Sequence, residues 1–217
     1  EYNYWDRWLH RGHIGGDFIY LPKHGLGYVA IPKNASSGVW AMCEDHDWQG
    51  QSVYKQHQHD PHTRFFIILR DPIDRWCSGI AEFANLYAQD SSELFDNPKF
   101  VSWLLASPTL DDHTDVQVSF LNTLNLNQVT AIWLDKNLAK NIHDWCCSFG
   151  YDNHFNNLNV EYSADENVYK KEIKQKLKEI IYSNKQHLNT LQDWFKPDYY
   201  LFEQLTERNR WWNDPKY

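Results

Sequence analysis

The chain has 217 residues, 42% hydrophobic and 16% aromatic with 11 Trp, and a formal net charge of -8 at pH 7. That length fits one domain with a sizeable core, and the acidic balance excludes general affinity for nucleic acid, which needs clustered Lys and Arg. No apolar run of about 18 residues exists to cross a bilayer, no secretory leader is visible, and the four cysteines (Cys43, Cys77, Cys146, Cys147) show no C-x-x-C zinc spacing. The expectation is a reducing, cytoplasmic compartment and no metal.

Residues 1–26 are aromatic, with turns at Gly15-Gly16 and Gly25. A first strand is predicted over Tyr28–Ile31 and a helix over Ser36–Cys43. Glu44–Thr63 is polar, rich in His and Gln, and reads as a loop. A second strand, Phe65–Leu69, is a continuous apolar run of the kind buried on both faces of a parallel sheet. Its helix covers Asp74–Tyr87. Helices follow at Phe100–Leu105 and Val116–Leu124, a third strand at Gln128–Leu134, and helices at Asn137–Phe149, Val168–Asn184 and Pro197–Leu205. Strands alternating with helices imply a parallel sheet with right-handed crossovers in a single α/β domain over residues 1–217. Ligands bind such sheets beyond the C-terminal strand ends.

Two segments at those ends carry chemistry. In G-Y-V-A-I-P-K-N-A-S-S-G-V-W (Gly27–Trp40) a strand delivers Lys33, Asn34, Ala35, Ser36, Ser37 and Gly38 to a helix N-terminus. Free N–H groups, a lysine and hydroxyls make a phosphate cradle there. The order is not that of a Walker loop, in which the Lys comes late. In F-F-I-I-L-R-D-P-I-D-R-W-C-S-G (Phe65–Gly79), Arg70 sits at the strand end and Ser78 eight residues on. An Arg fork matches phosphate bidentately; the plainer reading pairs Arg70 with Asp71 or Asp74. In an acidic chain, a polyanionic ligand must be held by such local positive groups.

The two motifs, in this order, resemble the 5′-phosphosulfate loop and the 3′-phosphate site (R-D-P-x-x-R-x-x-S) of sulfotransferases that use 3′-phosphoadenosine 5′-phosphosulfate (PAPS). W-L-D-K-N-L (Trp133–Leu138) and K-P-D-Y-Y-L-F-E-Q-L (Lys196–Leu205) resemble later segments of the carbohydrate members, so the likeness spans Tyr28 to Leu205. The resemblance implies a three-layer, P-loop-like α/β fold with a central parallel sheet flanked by helices. It also implies PAPS as sulfuryl donor, adenosine 3′,5′-bisphosphate (PAP) as product, and a carbohydrate or small-molecule hydroxyl as acceptor. Ser36 or Ser37 stands where many members have Thr. Arg208 and Arg210 are candidates for a third cofactor contact.

An acceptor hydroxyl needs a general base, and histidine suits neutral pH. His57 and His59, in H-Q-H, resemble the H-G-H of heparan sulfate 2-O-sulfotransferases, which implies His59 as base and His57 as its support. D-D-H-T-D-V-Q resembles an acceptor segment of other carbohydrate sulfotransferases, placing His113 and Gln117 at the acceptor. Lys33 takes the electrophilic role. Two other readings stay open: a P-loop-like kinase using ATP and Mg²⁺, with Asp135 as its strand-end carboxylate, and a non-catalytic nucleotide- or glycan-binding domain.

Overall fold

The computed structural model describes residues 17–51, 62–87, 97–121, 124–152 and 168–215. Within them the strands are β1 (Phe18–Leu21), β2 (Leu26–Val29), β3 (Gln49–Gln51), β4 (Arg64–Leu69) and β5 (Val129–Trp133). The α-helices are α1 (Ser36–Glu44), α2 (Pro72–Tyr87), α3 (Pro98–Ala106), α4 (Leu138–Ser148), α5 (Val168–Ser183), α6 (Lys185–Trp194) and α7 (Lys196–Glu207).

The five strands form one sheet in the order β3-β1-β2-β4-β5. β2, β4 and β5 run parallel, with Gly27 opposite Phe65 and Phe65 opposite Val129. β1 runs antiparallel to both β2 and β3. The fold is α/β as expected, but the sheet is mixed, not parallel throughout. Chain length at one turn explains the difference. β1 and β2 are joined only by a 3-10 turn, Pro22–His24, closed by Gly25 at φ 61. So short a link makes a hairpin; a parallel pair needs a crossover of a dozen residues or more. Gly25 was readable as a turn, while the strand pair it joins was not.

Successive strand residues pack to opposite sides, which divides the apolar residues into two cores. Phe18, Val29, Phe65, Ile67, Leu69, Ala131 and Trp133 pack with residues of α2, α3, α5, α6 and α7. Ile19, Tyr28, Phe66, Ile68 and Ile132 pack with α1 and α4. The apolar stripe of α5 (Ile173, Leu177, Ile181) is buried in the first of these cores. The tail closes the free edge of β5: Ala131 N–H donates to Arg210 O at 2.8 Å and Trp212 N–H to Ala131 O at 2.8 Å.

Two helical expectations change. The helix read over Val116–Leu124 is a 3-10 turn, Gln117–Leu121, with all five residues buried. Its Val118 N–H is taken by the Asp198 carboxylate at 2.9 Å, which diverts the backbone from regular helix. α6 was not anticipated. Asn184 starts it by accepting from Gln186 N–H and His187 N–H, and so separates it from α5.

Candidate functional site

β2 and β4 are parallel neighbours, so the loops leaving their C-terminal ends lie side by side. The first loop runs into α1 through two left-handed residues, Lys33 at φ 66 and Ala35 at φ 60. Outside glycine that conformation is costly and needs outside support. The support comes from behind. Asn34 is fully buried, and its Nδ2 donates to Ile68 O at 2.8 Å and to Gln117 Oε1 at 2.7 Å. Arg75 Nε donates to Pro32 O at 2.9 Å, and Arg70 Nη1 to Lys33 O at 3.1 Å. The loop's carbonyls are thereby turned toward the two arginines. Val39 N–H is the first to close a helical bond, to Ala35 O at 3.1 Å. The N–H groups of Ser36, Ser37 and Gly38 precede it, and are the open donors of a helix N-terminus.

The second loop carries Arg70. Asp71 caps α2 by accepting from Asp74 N–H at 2.7 Å. Burial raises the Asp71 carboxyl above its ordinary range, against the Ile73 backbone N–H and the charges of Arg70 and Lys178. Arg70 pairs with Asp74, which also pairs with Lys178 of α5. One turn on, Ser78 is 5% exposed and its hydroxyl donates to Asp74 O at 3.1 Å. One turn further, Glu82 Oε2 meets Lys33 Nζ at 2.9 Å and Lys170 Nζ of α5 at 2.8 Å. Burial alone would raise the Glu82 carboxyl, but hydrogen bonds from Lys170 and Lys33 outweigh it and hold the group below its ordinary range. Asp74, Ser78 and Glu82 thus line one face of α2, each one turn from the next. Each carboxylate joins a cation of the loops to a lysine of α5. Lys33, Arg70, Lys170 and Lys178 thus meet Asp74 and Glu82, with the Asp71 carboxyl beside Arg70 and Lys178.

Beneath both loops lies a buried polar network. Gln117 Oε1 accepts from Asn34 Nδ2 and from Arg70 N–H at 3.3 Å, while its Nε2 donates to Arg70 O at 3.0 Å and Asp198 Oδ2 at 3.4 Å. Its whole amide is used inside the protein. It braces the two loops, where sequence had placed it at an acceptor. Burial raises the Asp198 carboxyl to about 6, against the N–H donors of Gln117 and Val118 and the charge of Arg75. Arg75 is also buried, and burial lowers its guanidinium to about 10 despite Asp198 and Asp115. It donates to the carbonyls of Pro32, Asp112 and Asp115 and lies 5.6 Å over the Phe120 ring.

No family model, curated protein or solved structure matches this chain. The site is therefore judged on its geometry.

His113 lies at its rim. Its Nδ1 is 3.1 Å from Asp111 Oδ2 and 3.1 Å from Asp112 Oδ1. The hydrogen bond to Asp111 raises the imidazole above its ordinary value, with Asp112 adding and burial and Lys33 opposing. With Nδ1 held by carboxylates, Nε2 is the nitrogen left for a partner. The His113 carbonyl rests on Gly79 of α2, where a Cβ would come within 2.3 Å.

The structure therefore brings together Lys33, Asn34, Ala35, Ser36, Ser37, Gly38, Arg70, Ser78, His113 and Gln117. His57 and His59 lie outside the described residues. Arg208 pairs with Asn127 at 3.1 Å, just before β5 begins and at the sheet end opposite the loops, and Arg210 runs beside β5. Asp135 caps a turn, accepting from Asn137 N–H at 2.8 Å. Sequence reading missed Glu82, Lys170 and Lys178, which no local motif marks, and gave no role to Asp198, which stood inside K-P-D-Y-Y-L. Arg75 stood inside R-D-P-x-x-R with no role given to it. The assembly can hold an anion with a phosphate or sulfate group at each of two adjacent loops.

Proposed function

We propose that the protein is a PAPS-dependent sulfotransferase acting on a hydroxyl of a carbohydrate or related acceptor, on a three-layer, P-loop-like framework. The observation that carries this reading is the adjacency of the two anion loops: Arg70 donates to the backbone of Lys33 itself. One bisphosphorylated nucleotide fits that arrangement better than two separate anions. The donor set also fits the ligand's charge, with cations on both loops and open N–H groups at α1. PAPS would supply a sulfuryl group whose bond to the 5′-phosphate breaks as the bond to the acceptor oxygen forms, leaving PAP. Lys33, freed from Glu82, holds the negative charge that grows on the oxygens. Arg70 and Ser78 fix the 3′-phosphate. A histidine takes the acceptor proton; the H-Q-H resemblance assigns this to His59, supported by His57, with His113 Nε2 at the acceptor. The four cysteines are unpaired, in keeping with a reducing compartment such as the cytoplasm.

PAP binding tests the reading by thermal unfolding. At 100 times its Kd the bisphosphate stabilises the protein by ~2.7 kcal/mol, a rise of roughly 5–10 °C for a chain of this size. Lys33→Ala and Arg70→Ala remove the rise. No response at millimolar PAP sinks the proposal, and a response only to ATP with Mg²⁺ favours the kinase reading. PAP binding without transfer of labelled sulfate to any acceptor in a panel favours a binding domain.

A further inference from the structure

On the far side of the sheet from α2 and α5, three side chains of different chemistry converge at the end of α4. His143 and Cys147 are four residues apart, hence on one flank of the helix. The helix buries Leu138, Ile142, Trp145 and Cys146, which leaves Cys147 exposed. The chain then turns back. Phe149, Gly150 and Tyr151 N–H groups donate to the carbonyls of Cys146, Cys147 and Cys146 at 3.0, 2.9 and 3.1 Å, with Gly150 in the left-handed region at φ 77. Tyr151 anchors the turn against Trp48, with ring centroids 6.2 Å apart. Asp152 is thereby returned to the helix. Cys147 Sγ lies 3.5 Å from His143 Nε2 and 3.8 Å from Asp152 Oδ1, and the three ligand atoms all lie within 4.8 Å of one another.

We propose that His143, Cys147 and Asp152 form a binding site for a borderline-soft divalent cation of the zinc class, separate from the anion loops. In a tetrahedral site, zinc bonds of ~2.3 Å to sulfur and ~2.0–2.2 Å to nitrogen or oxygen place those donors about 3.5–3.6 Å apart. The sulfur–nitrogen and sulfur–oxygen spacings of 3.5 and 3.8 Å already lie near those values. Imidazole, thiolate and carboxylate are a zinc donor set, whereas magnesium and calcium take oxygen ligands. On binding, the Cys147 S–H bond breaks, its proton goes to solvent, and a sulfur–metal bond forms, with no change of oxidation state. Water completes the fourth position. The bound cation ties the turn after α4 to the helix and so fixes that corner of the second core.

Cobalt(II) is the probe, added to the whole reduced protein. The expected result is a thiolate-to-cobalt charge-transfer band with the visible bands of a tetrahedral ion, both bleached by zinc. Cys147→Ser abolishes the charge-transfer band, His143→Gln weakens cobalt and zinc binding by more than ~10-fold, and Asp152→Asn weakens it less. Zinc also raises the melting temperature of the wild type but not of His143→Gln. These side chains are outside the core, so the variants fold, which circular dichroism checks. Absence of the band at saturating cobalt overturns the proposal. So does a band of unchanged affinity in His143→Gln, because His143 is then no ligand.

Discussion

The parallel and antiparallel parts of the sheet contrast in what they support. β2, β4 and β5 send their C-terminal ends to one edge, and the loops there are joined by buried hydrogen bonds between residues far apart in sequence, such as Asn34 to Gln117 and Val118 to Asp198. β1 alone runs the other way, so its C-terminal end falls at the opposite edge, and β3, which points with β2, ends the described sheet with Gln49 and Gly50 exposed. Strand direction decides where loops can meet, and only where they meet does a buried network fix them. The buried polar network gathers at that edge for that reason.

Four substitutions or conditions probe this contrast. Arg75→Met should have the largest effect. It leaves the carbonyls of Pro32, Asp112 and Asp115 without their donor and Asp198 without its buried counter-charge, a loss of ~3–5 kcal/mol in urea unfolding. A loss below ~1 kcal/mol shows that the network does not hold the loops. Next comes Gly79→Ala, whose Cβ meets the His113 carbonyl oxygen at 2.3 Å. Backbone cannot yield as a side chain can, so ~1–3 kcal/mol should be lost, and the His113 imidazole resonances should shift. An unchanged melting curve denies that this packing is tight.

The third probe is pH. Asp198 is raised from 3.8 to about 6 in the fold, first by burial. The folded protein therefore binds this proton more tightly than the unfolded chain. The resulting stability is fully present below pH 3.8 and is lost as pH rises through about 6, at up to ~1.4 kcal/mol per pH unit. The difference in stability between wild type and Asp198→Asn should follow that course, and a difference flat in pH would sink the assignment. Gly50→Ala on β3 should be smallest. Its Cβ meets only the Trp40 ring, at 3.0 Å, and a change within ~0.5 kcal/mol is expected. A loss as large as that of Gly79→Ala would erase the contrast.

Sequence revealed what is written locally. Phe65–Leu69 reads as a buried strand because it is continuously apolar, and Pro72 in the first turn marks the start of α2. Both strand-to-helix loops were legible because strand, cation and helix start lie within a few residues. Strand pairing is not local, so the hairpin of β1 and β2 was missed even though F-I-Y-L is apolar. Nor could spacing show that Glu82, 49 residues from Lys33, would hold its ammonium. Gln117 stood in a segment resembling an acceptor site, and only the fold shows it facing Asn34, Arg70 and Asp198. The zinc-type cluster escaped because C-x-x-C was sought, while His143 and Cys147 are related by helical spacing.

For the nucleotide proposed above, the carboxylate of Glu82, set between Lys33 and Lys170, would make the cradle an ion exchanger. An arriving anion replaces a resident one on Lys33, and Asp74 is replaced likewise on Arg70. Few small ions from solution are discharged in such a swap, so affinity should decline only gently as ionic strength rises, unlike that of a bare basic patch.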